Sequence, residues 1–432
     1  MVLLENHFSS SIHLSMRVKA GKLSGNDRRD QYPFKCITYK FHNNMIFDTT
    51  FYNELITFTQ EIIRINSPSW QEQAVANVIK NKMQSLDYDS VQVDSMGNII
   101  GMRIGQQPGP TILFDGHMDV VPAPNPEIWD FDPFSAIIDD GKIFGRGATD
   151  MKGPLAAVIM SIGRMPSNAF NGILAVSASV GEESYEGGAL STVLEKISPD
   201  FVVICEPNDC CLTIGQKGRA GIWIKVDGTS AHSSQPHLGD NAIYKALPII
   251  KRLQAMQLPH DENLGKGVME LIDAISAPYP SQSSLPNKFL MRYDRRLVVG
   301  ETQESVLSSI FDALQNYQDW KCGFGTIRTT TYTGQVIEGR DFHPAWMLPK
   351  SSPWVQLAHM GLADVGVAPI INYAHYCTNG SQSAGINNIP TIIFGPSSIQ
   401  QAHADNESIE VRALFCGVEC YASLARTLTQ MA

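Results

Sequence analysis

The sequence predicts an α/β protein with a mostly parallel sheet, interrupted by a smaller inserted α+β domain. Its 432 residues are enough for two or three domains at roughly 100–200 residues each. Apolar runs of strand length alternate along the chain with longer stretches typical of helices, which is the order found in α/β proteins. Hydrophobic residues make up 43% and charged residues 18%, values that exclude a disordered, collagen-like or coiled-coil chain.

The larger predicted domain comprises residues 45–216 and 334–432. Its expected strands cover residues 111–114, 172–177, 201–204 and 390–394, and its expected helices cover residues 51–65, 71–86, 153–165 and 414–429. Alternation of this kind favours parallel strands joined by helices.

The inserted domain is predicted over residues 217–333. Its expected elements are a strand at 221–226, a helix at 241–256, strands at 268–275 and 288–299, a helix at 302–317 and a strand at 326–331. This βαββαβ order is that of ferredoxin-like domains. Pro248 lies inside the first of these helices, and we expect it to kink the helix because proline removes a backbone hydrogen bond.

Residues 1–44 form a poorly patterned extension. They hold seven basic and three acidic residues and no apolar stretch of the kind found in secretory signals. An organelle-targeting segment and a misassigned start at Met45 are both open interpretations. In either case we expect these residues to be dispensable for folding and activity.

Charge and cysteine content narrow the partners and the compartment. The net charge is -10 and no basic block is present, so we expect no nucleic-acid partner. Apolar runs stay far below the ~20 residues of a membrane-spanning helix, so we expect no membrane partner. The eight cysteines form no CxxC pair, which favours free thiols in a reducing cytoplasm. Cys416 and Cys420 resemble half of a metal site, although burial as small apolar side chains is the simpler interpretation.

Residue types that bind metals follow several of the predicted strands. His117 and Asp119 follow the first, Glu182 and Glu183 the second, Glu206 the third and His403 the fourth, and Asp150 begins a helix. Ligands of open α/β sheets collect at the carboxyl ends of strands, so these side chains are expected at one edge.

Each of these residues also has a purely structural interpretation. His117 and Asp119 could be a solvated pair, Asp150 could cap a helix, Glu182 with Glu183 could form an acidic turn, and Glu206 could end a strand. Chance gives no reason for such residues to follow four separate strands at the same sheet edge. Their joint placement therefore predicts a metal site.

The motifs around these residues resemble those of the M20 metallopeptidase family, which includes acetylornithine deacetylase, succinyl-diaminopimelate desuccinylase, aminoacylase and glutamate carboxypeptidase. The matching stretches are Asp115-Gly116-His117-Met118-Asp119-Val120-Val121-Pro122, residues 145–153 (GRGATDMKG), Glu182-Glu183, Cys205-Glu206-Pro207, and Ala402-His403 with Asn406-Glu407. The resemblance runs from about Met45 to the C-terminus. It is closest to an uncharacterised peptidase-like branch that carries Thr378-Asn379-Gly380 where many members have a Gly-Thr-Asp type of loop.

The resemblance implies a zinc-peptidase-like catalytic domain holding two Zn²⁺ ions, with Co²⁺ or Mn²⁺ as possible substitutes. Asp150 would bridge the ions, His117 and Glu206 would complete one, and Glu183 and His403 the other. Asp119 would orient His117, and Glu182 would be the general base.

The inserted domain would be a lid through which the chain forms a homodimer. His232 would polarise the substrate carbonyl from the partner subunit, and Arg296 would bind a substrate carboxylate. The segment Thr378-Asn379-Gly380 would add further substrate contacts. Gln282 and Ser283 stand where many members have an asparagine, which departs from the family pattern.

Two classes of function are open on this basis. The first is a hydrolase that cleaves an amide in a small acyl amino acid or dipeptide bearing a carboxylate. The second is a catalytically silent binding or scaffold protein on the same fold. The presence of Glu182 and of every expected ligand favours the hydrolase.

Overall fold

The computed structural model describes residues 47–431, and the expectations for residues 1–44 lie outside the described residues. Over this part of the chain there are eight α-helices, with bounds Thr49–Ile63, Gln73–Ser85, Lys152–Arg164, Leu190–Ile197, Ala242–Gln254, Gln303–Leu314, Pro353–Asp364 and Val411–Leu428. The predicted helices are confirmed to within a few residues at each end. None of the helices in this part of the chain has the length and apolar character needed to cross a bilayer.

A nine-stranded sheet, hereafter the large sheet, forms the centre of the protein. Its strands are Ser90–Val93, Ile99–Ile104, Ile173–Ser179, Thr111–His117, Phe201–Ile204, Thr391–Ile393, Leu212–Gln216 and Trp346–Met347 in spatial order, with Ile371–Ala374 also paired to Leu212–Gln216. The four strands from Ile173–Ser179 to Thr391–Ile393 are mutually parallel. Antiparallel strands flank them on both sides. The predicted α/β class with a mostly parallel central sheet is confirmed.

The central strands are buried because helices cover them. Every residue of Phe201–Ile204 is buried, as are twelve of the thirteen residues of helix Lys152–Arg164. The Ser161 hydroxyl of this helix donates to the Val418 carbonyl of the last helix at 2.8 Å. Near-continuous apolar runs are what a strand covered on both faces requires.

A second, antiparallel sheet, hereafter the small sheet, lies in the middle of the chain. Its four main strands are Val268–Ala277, Lys288–Leu297, Gly218–Asp227 and Trp320–Phe324 in spatial order. Helices Ala242–Gln254 and Gln303–Leu314 bury one of its faces, with Ile249 and Ile310 packed against Ile224 in one apolar cluster. The βαββαβ order is therefore present.

One predicted element of the small sheet is wrong. The strand expected at 326–331 is not the sixth element of this order, because Trp320–Phe324 pairs there with Gly218–Asp227. Thr326–Thr330 forms a hairpin with Val336–Arg340 instead. Trp320, Cys322 and Phe324 alternate their apolar side chains toward the helices, whereas 326–331 has only one apolar side chain, that of Ile327.

Pro248 does not interrupt the helix that contains it. The helix runs without interruption from Ala242 to Gln254. Pro248 is exposed, and so is Tyr244, whose carbonyl loses its helical partner to the proline. Water can satisfy that carbonyl, so the helix continues.

Shorter pieces complete the fold. A three-stranded sheet joins Ser408–Glu410, Lys142–Phe144 and Ile138–Asp139, and a small hairpin joins His260–Asp261 to Gly265–Lys266. Cys416 and Cys420 lie one turn apart on the last helix, buried, with their sulfurs 3.8 Å apart and no disulfide between them.

The chain passes between the two sheets along one antiparallel ribbon. Residues 215–220 leave the large sheet and residues 341–347 return to it, and we call these two segments the crossover ribbon. Gly215 and Gln216 pair with Met347 and Trp346, while Arg219 and Ala220 pair with His343 and Phe342. Gly218 allows this close approach, because a Cβ there would lie 2.3 Å from the His343 carbonyl oxygen.

Candidate metal centre

Three neighbouring parallel strands carry the predicted site to one edge of the large sheet. His117 is the last residue of its strand, Glu206 comes two residues after Phe201–Ile204, and Glu182 with Glu183 follows Ile173–Ser179. The expected convergence at the carboxyl ends of the strands is observed.

Asp150 enters the site from the start of helix Lys152–Arg164. The N-cap of this helix is Met151, and no side-chain capping bond is made there. The capping role considered for Asp150 is therefore excluded. Its carboxylate, which is 7% exposed, points instead at two histidines.

The two oxygens of Asp150 face different partners. The Oδ1 atom lies 3.1 Å from His117 Nε2, and His117 Nε2 lies 3.6 Å from Glu206 Oε1. The Oδ2 atom lies 3.4 Å from His403 Nε2, which lies 3.0 Å from Glu183 Oε2. Asp150 is therefore shared by two groups, each of which also holds one histidine and one glutamate.

Glu182 lies beside the first group. Its Oε2 atom is 3.9 Å from His117 Nε2, and ligand atoms of His117, Glu182 and Glu206 lie within 4.8 Å of one another. His117, Asp150 and Glu183 meet the same criterion. Glu182 is thus close enough to take part in the chemistry, and distance alone fits both a base and a ligand.

Asp119 organises the loop that carries both glutamates. Its carboxylate accepts hydrogen bonds from the backbone amides of Glu182 and Glu183, each at 3.1 Å, and from the Ser69 hydroxyl at 2.7 Å. His117 Nδ1 lies 3.0 Å from the Asp119 carbonyl oxygen and 3.4 Å from its Oδ1. Asp119 therefore fixes the ring of His117 so that Nε2 faces Asp150.

Glu407 does the same for the loop that carries Asp150. It is fully buried, and its carboxylate accepts the amides of Gly147, Thr149 and Asp150 at 3.1, 2.8 and 2.9 Å. Arg146 donates to it at 2.7 Å. Glu407 belongs to the motif Asn406-Glu407, but the motif does not indicate a role for it. Only the fold brings Glu407 to the loop of Asp150.

The electrostatics show an excess of buried negative charge. Burial raises the pKa of the Glu182 and Glu206 carboxyls well above their ordinary range, and neighbouring carboxylates raise it further. Hydrogen bonds with Asp150 and Glu183 raise the pKa of His403 to about 10. Burial opposes protonation of His117, but the Glu206 charge and hydrogen bonds to Asp119 and Asp150 outweigh it and raise that pKa as well.

The charges and donor atoms of the site determine whether metal ions fit between these residues. Like-charged carboxylates clustered away from water are costly unless cations balance them. The donors are imidazole nitrogen and carboxylate oxygen, which Zn²⁺ accepts. The residues present therefore fit a pair of divalent cations.

A cavity of ≈ 470 Å³ opens over the site. The side chains that line it beyond the two groups include Arg296, Thr378, Arg219, Glu186 and Tyr376. The predicted substrate contacts Arg296 and Thr378 thus reach the cavity. Sequence reasoning gave no role to Glu186 or Tyr376, which carry no motif signal.

The remaining predicted contacts lie elsewhere. Asn379 is buried and donates to Asp115 Oδ2 at 2.8 Å, so its side chain supports the site from behind. Gly380 donates its amide to the Thr378 hydroxyl at 3.0 Å. His232 is exposed in the inserted segment and does not line the cavity, and its Nδ1 lies 2.7 Å from the Ser234 hydroxyl.

A family model supplies the deciding observation. The model of peptidase family M20/M25/M40 matches residues 113–427, a span that contains every residue of both histidine groups. The chain belongs to this family. M20 proteins of this kind are metal-dependent hydrolases of amide bonds, and the chain is such an enzyme. The predicted M20 resemblance is confirmed.

Two relatives are similar to the chain in sequence, and one solved structure shares its fold. The uncharacterized protein YgeY of Escherichia coli K12 is 33% identical over 406 residues, covering 91% of this chain and 97% of YgeY. A probable succinyl-diaminopimelate desuccinylase of Staphylococcus epidermidis RP62A is 26% identical over 402 residues, covering 85% and 95%. The crystal structure of Bacillus subtilis YXEP, a dinuclear metal-binding peptidase of the M20 family, matches with a TM-score of 0.65 at 16% identity, covering 89% and 100%.

Proposed function

We propose that this M20 protein is a dinuclear zinc hydrolase that cleaves an amide in a small acyl amino acid or dipeptide bearing a carboxylate. His117 and Glu206 would hold one ion, Glu183 and His403 the other, and Asp150 both. The observation that carries the proposal is the division of Asp150, whose two oxygens lie 3.1 and 3.4 Å from different histidines. A carboxylate shared in this way by two groups of ligands could hold both cations of a dinuclear site.

When bound, the two ions would polarise the substrate carbonyl and lower the pKa of a water molecule toward neutrality. Glu182 accepts the proton of the attacking water and passes it to the leaving nitrogen. The burial of Glu182 suits this work, because burial favours the protonated carboxyl and so makes Glu182 a better base. Asp119 holds the Glu182 amide and His117 in register while this proton moves.

Arg296 and Thr378 line the cavity, and we expect them to bind the substrate. Arg296 presents a guanidinium that pairs with Asp294 at 2.8 Å and is one-third exposed, so it can turn toward a substrate carboxylate. The Thr378 hydroxyl donates to Gln216 at 2.6 Å. A free carboxylate on the substrate is the feature we expect Arg296 to select.

We expect His232 to reach the cavity of a second copy of the chain in a dimer. Strand Val268–Ala277 is an edge of the small sheet, ten residues long, and it exposes Val268, Ile272 and Ile275. A long apolar edge is a ready surface for strand pairing with a second copy. We infer a homodimer through this edge, in which His232 of one copy serves the cavity of the other.

The proposal is tested with a panel of N-acyl amino acids and dipeptides, assayed with Zn²⁺, Co²⁺ or Mn²⁺ after chelation. We expect hydrolysis of at least one carboxylate-bearing member, loss of activity on chelation, and recovery on adding metal. Blocking the substrate carboxylate as an amide should raise KM strongly. Metal binding without turnover of any carboxylate-bearing member would overturn the proposed substrate class.

A further inference from the structure

A cluster of charged side chains, of which Asp341 and His343 are buried and Arg219 and Glu186 partly exposed, lies where the crossover ribbon meets the candidate metal centre. Arg219 of the ribbon donates from Nη2 to Glu186 Oε2 at 2.6 Å and lies 3.0 Å from Asp341 Oδ1. His343 Nε2 lies 3.3 Å from Asp341 and 3.5 Å from Glu186. Burial alone would raise the pKa of Asp341, but the His343 hydrogen bond and the Arg219 charge lower it, so Asp341 is ionised.

Glu186 belongs to the loop that carries the two glutamates of the site. It follows Glu183 by three residues, and the preceding Tyr185 packs edge-on against the His343 ring, with centroids 5.5 Å apart. The same loop is fixed at its start by Asp119, which accepts the Glu182 and Glu183 amides. One end of the loop is therefore held by the large sheet and the other by the ribbon.

We propose that Arg219 and Glu186 form a positioning pair that ties the Glu182–Glu183 loop to the crossover ribbon, so that the placement of the small sheet sets the geometry of the catalytic glutamate. Both crossings of the chain run through this ribbon, so any rotation of the small sheet moves Arg219. The inference rests on the proposed function for the meaning of Glu182, but the mechanical link it describes does not depend on the substrate.

The experiment compares two Arg–Glu ion pairs in the zinc-loaded full chain. Arg295 and Glu301 are a matched control, since their Nη2 and Oε1 atoms are also 2.6 Å apart, and their side chains are 2% and 7% exposed. They lie in the inserted segment and do not line the cavity. The variants are Glu186→Gln, Arg219→Met and their double, set against Glu301→Gln.

A misplacement of about 1 Å in a catalytic group can cost 10²-fold in rate. We expect Glu186→Gln to lower kcat by roughly 10–100-fold with KM little changed and two zinc ions retained. The double variant should lose no more kcat than Arg219→Met alone, because both changes break one link. Glu301→Gln should lower Tm and leave kcat near wild type. Additive losses, or a change confined to the KM of Arg219→Met, would overturn the inference and make Arg219 a direct substrate contact.

A second measurement needs no substrate. Hydrogen exchange at the amides of residues 181–189 should be faster in Glu186→Gln than in wild type, and unchanged in Glu301→Gln. Unchanged exchange in Glu186→Gln would overturn the positioning role. If wild type cleaves no member of the panel, the proposed function fails while the exchange result still decides this inference. Glu186→Gln keeps the shape of the side chain, so it serves alone if Arg219→Met does not fold.

Discussion

Glu182 and Glu183 are adjacent in the sequence but face different histidines. Glu183 lies 3.0 Å from His403, whereas Glu182 faces His117 at 3.9 Å. The family resemblance implies that Glu182 is the base and Glu183 a ligand. Distance alone fits Glu182 to either role, so this assignment stays a prediction.

Substitution separates these two roles. We expect Glu182→Ala to retain close to two zinc ions while losing roughly 10²–10⁴-fold in turnover, the contribution of a general base. Glu183→Ala should lose zinc, and excess Zn²⁺ should restore part of its activity. Elemental analysis measures the zinc content of each variant, and kinetics on the best substrate measures its turnover. Equal zinc loss in the two variants would show the assignment to be wrong.

Glu72 is a fully buried carboxylate outside the two groups. Its Oε1 accepts the amides of Trp70 and Gly181 at 2.8 and 2.9 Å, and burial, with the nearby Asp119 charge, raises its pKa from 4.5 to about 7. The folded state thus binds this proton more tightly than the unfolded state. The stability that Glu72 contributes is complete below pH 4.5 and is lost as the pH rises through about 7.

A glutamine side chain cannot ionise, so Glu72→Gln should remove this loss of stability at rising pH. Between about pH 5 and pH 8 we expect the free energy of unfolding to fall less in the variant than in wild type, by a few kcal/mol at most. Denaturant unfolding at fixed zinc concentration measures the difference. Parallel curves for the two proteins would mean that Glu72 does not titrate in this range.

At the scale of elements, strands and helices could be predicted because their apolar periodicity is local. The strand expected at 326–331 exists, but its predicted place in the small sheet was wrong because pairing is decided by which segment alternates toward the helices, and Trp320–Phe324 does so. The contacts that Glu407 and Arg219 make could not be predicted for a related reason. Each acts on a loop far away in the chain, and only the folded sheet brings the two together.

The loop that carries Asp150 depends on one side chain of another element. Glu407→Ala would leave three buried amides without their acceptor and would remove the carboxylate that pairs with Arg146, so we expect a loss of about 2–5 kcal/mol in stability. Zinc affinity should fall roughly 10–100-fold, as for other groups that orient ligands. Glu410→Ala is the control, because that carboxylate is more than one-third exposed and pairs with Arg412. Equal effects of the two substitutions on zinc affinity would contradict the role of Glu407.

At the scale of the whole molecule, the proposed dimer can be broken at its edge. Ile275 is 50% exposed on strand Val268–Ala277, and Ile104, 59% exposed at the end of a large-sheet strand, is a matched control. We expect Ile275→Lys to give monomers at micromolar concentration by light scattering, and Ile104→Lys to remain dimeric. His232→Ala should stay dimeric and lose roughly 10²-fold in kcat. A monomeric wild type, or full activity in His232→Ala, would contradict the assembly.

The proposed function requires Asp150 to join two metal ions at one site. The most direct test counts zinc per chain by elemental analysis in wild type and in Asp150→Ala after equilibration with Zn²⁺ and removal of free metal. We predict two ions per chain in wild type and nearly complete loss of both in Asp150→Ala, because the two histidine groups share this carboxylate. One ion in wild type, or two retained in Asp150→Ala, would contradict a dinuclear site that depends on Asp150.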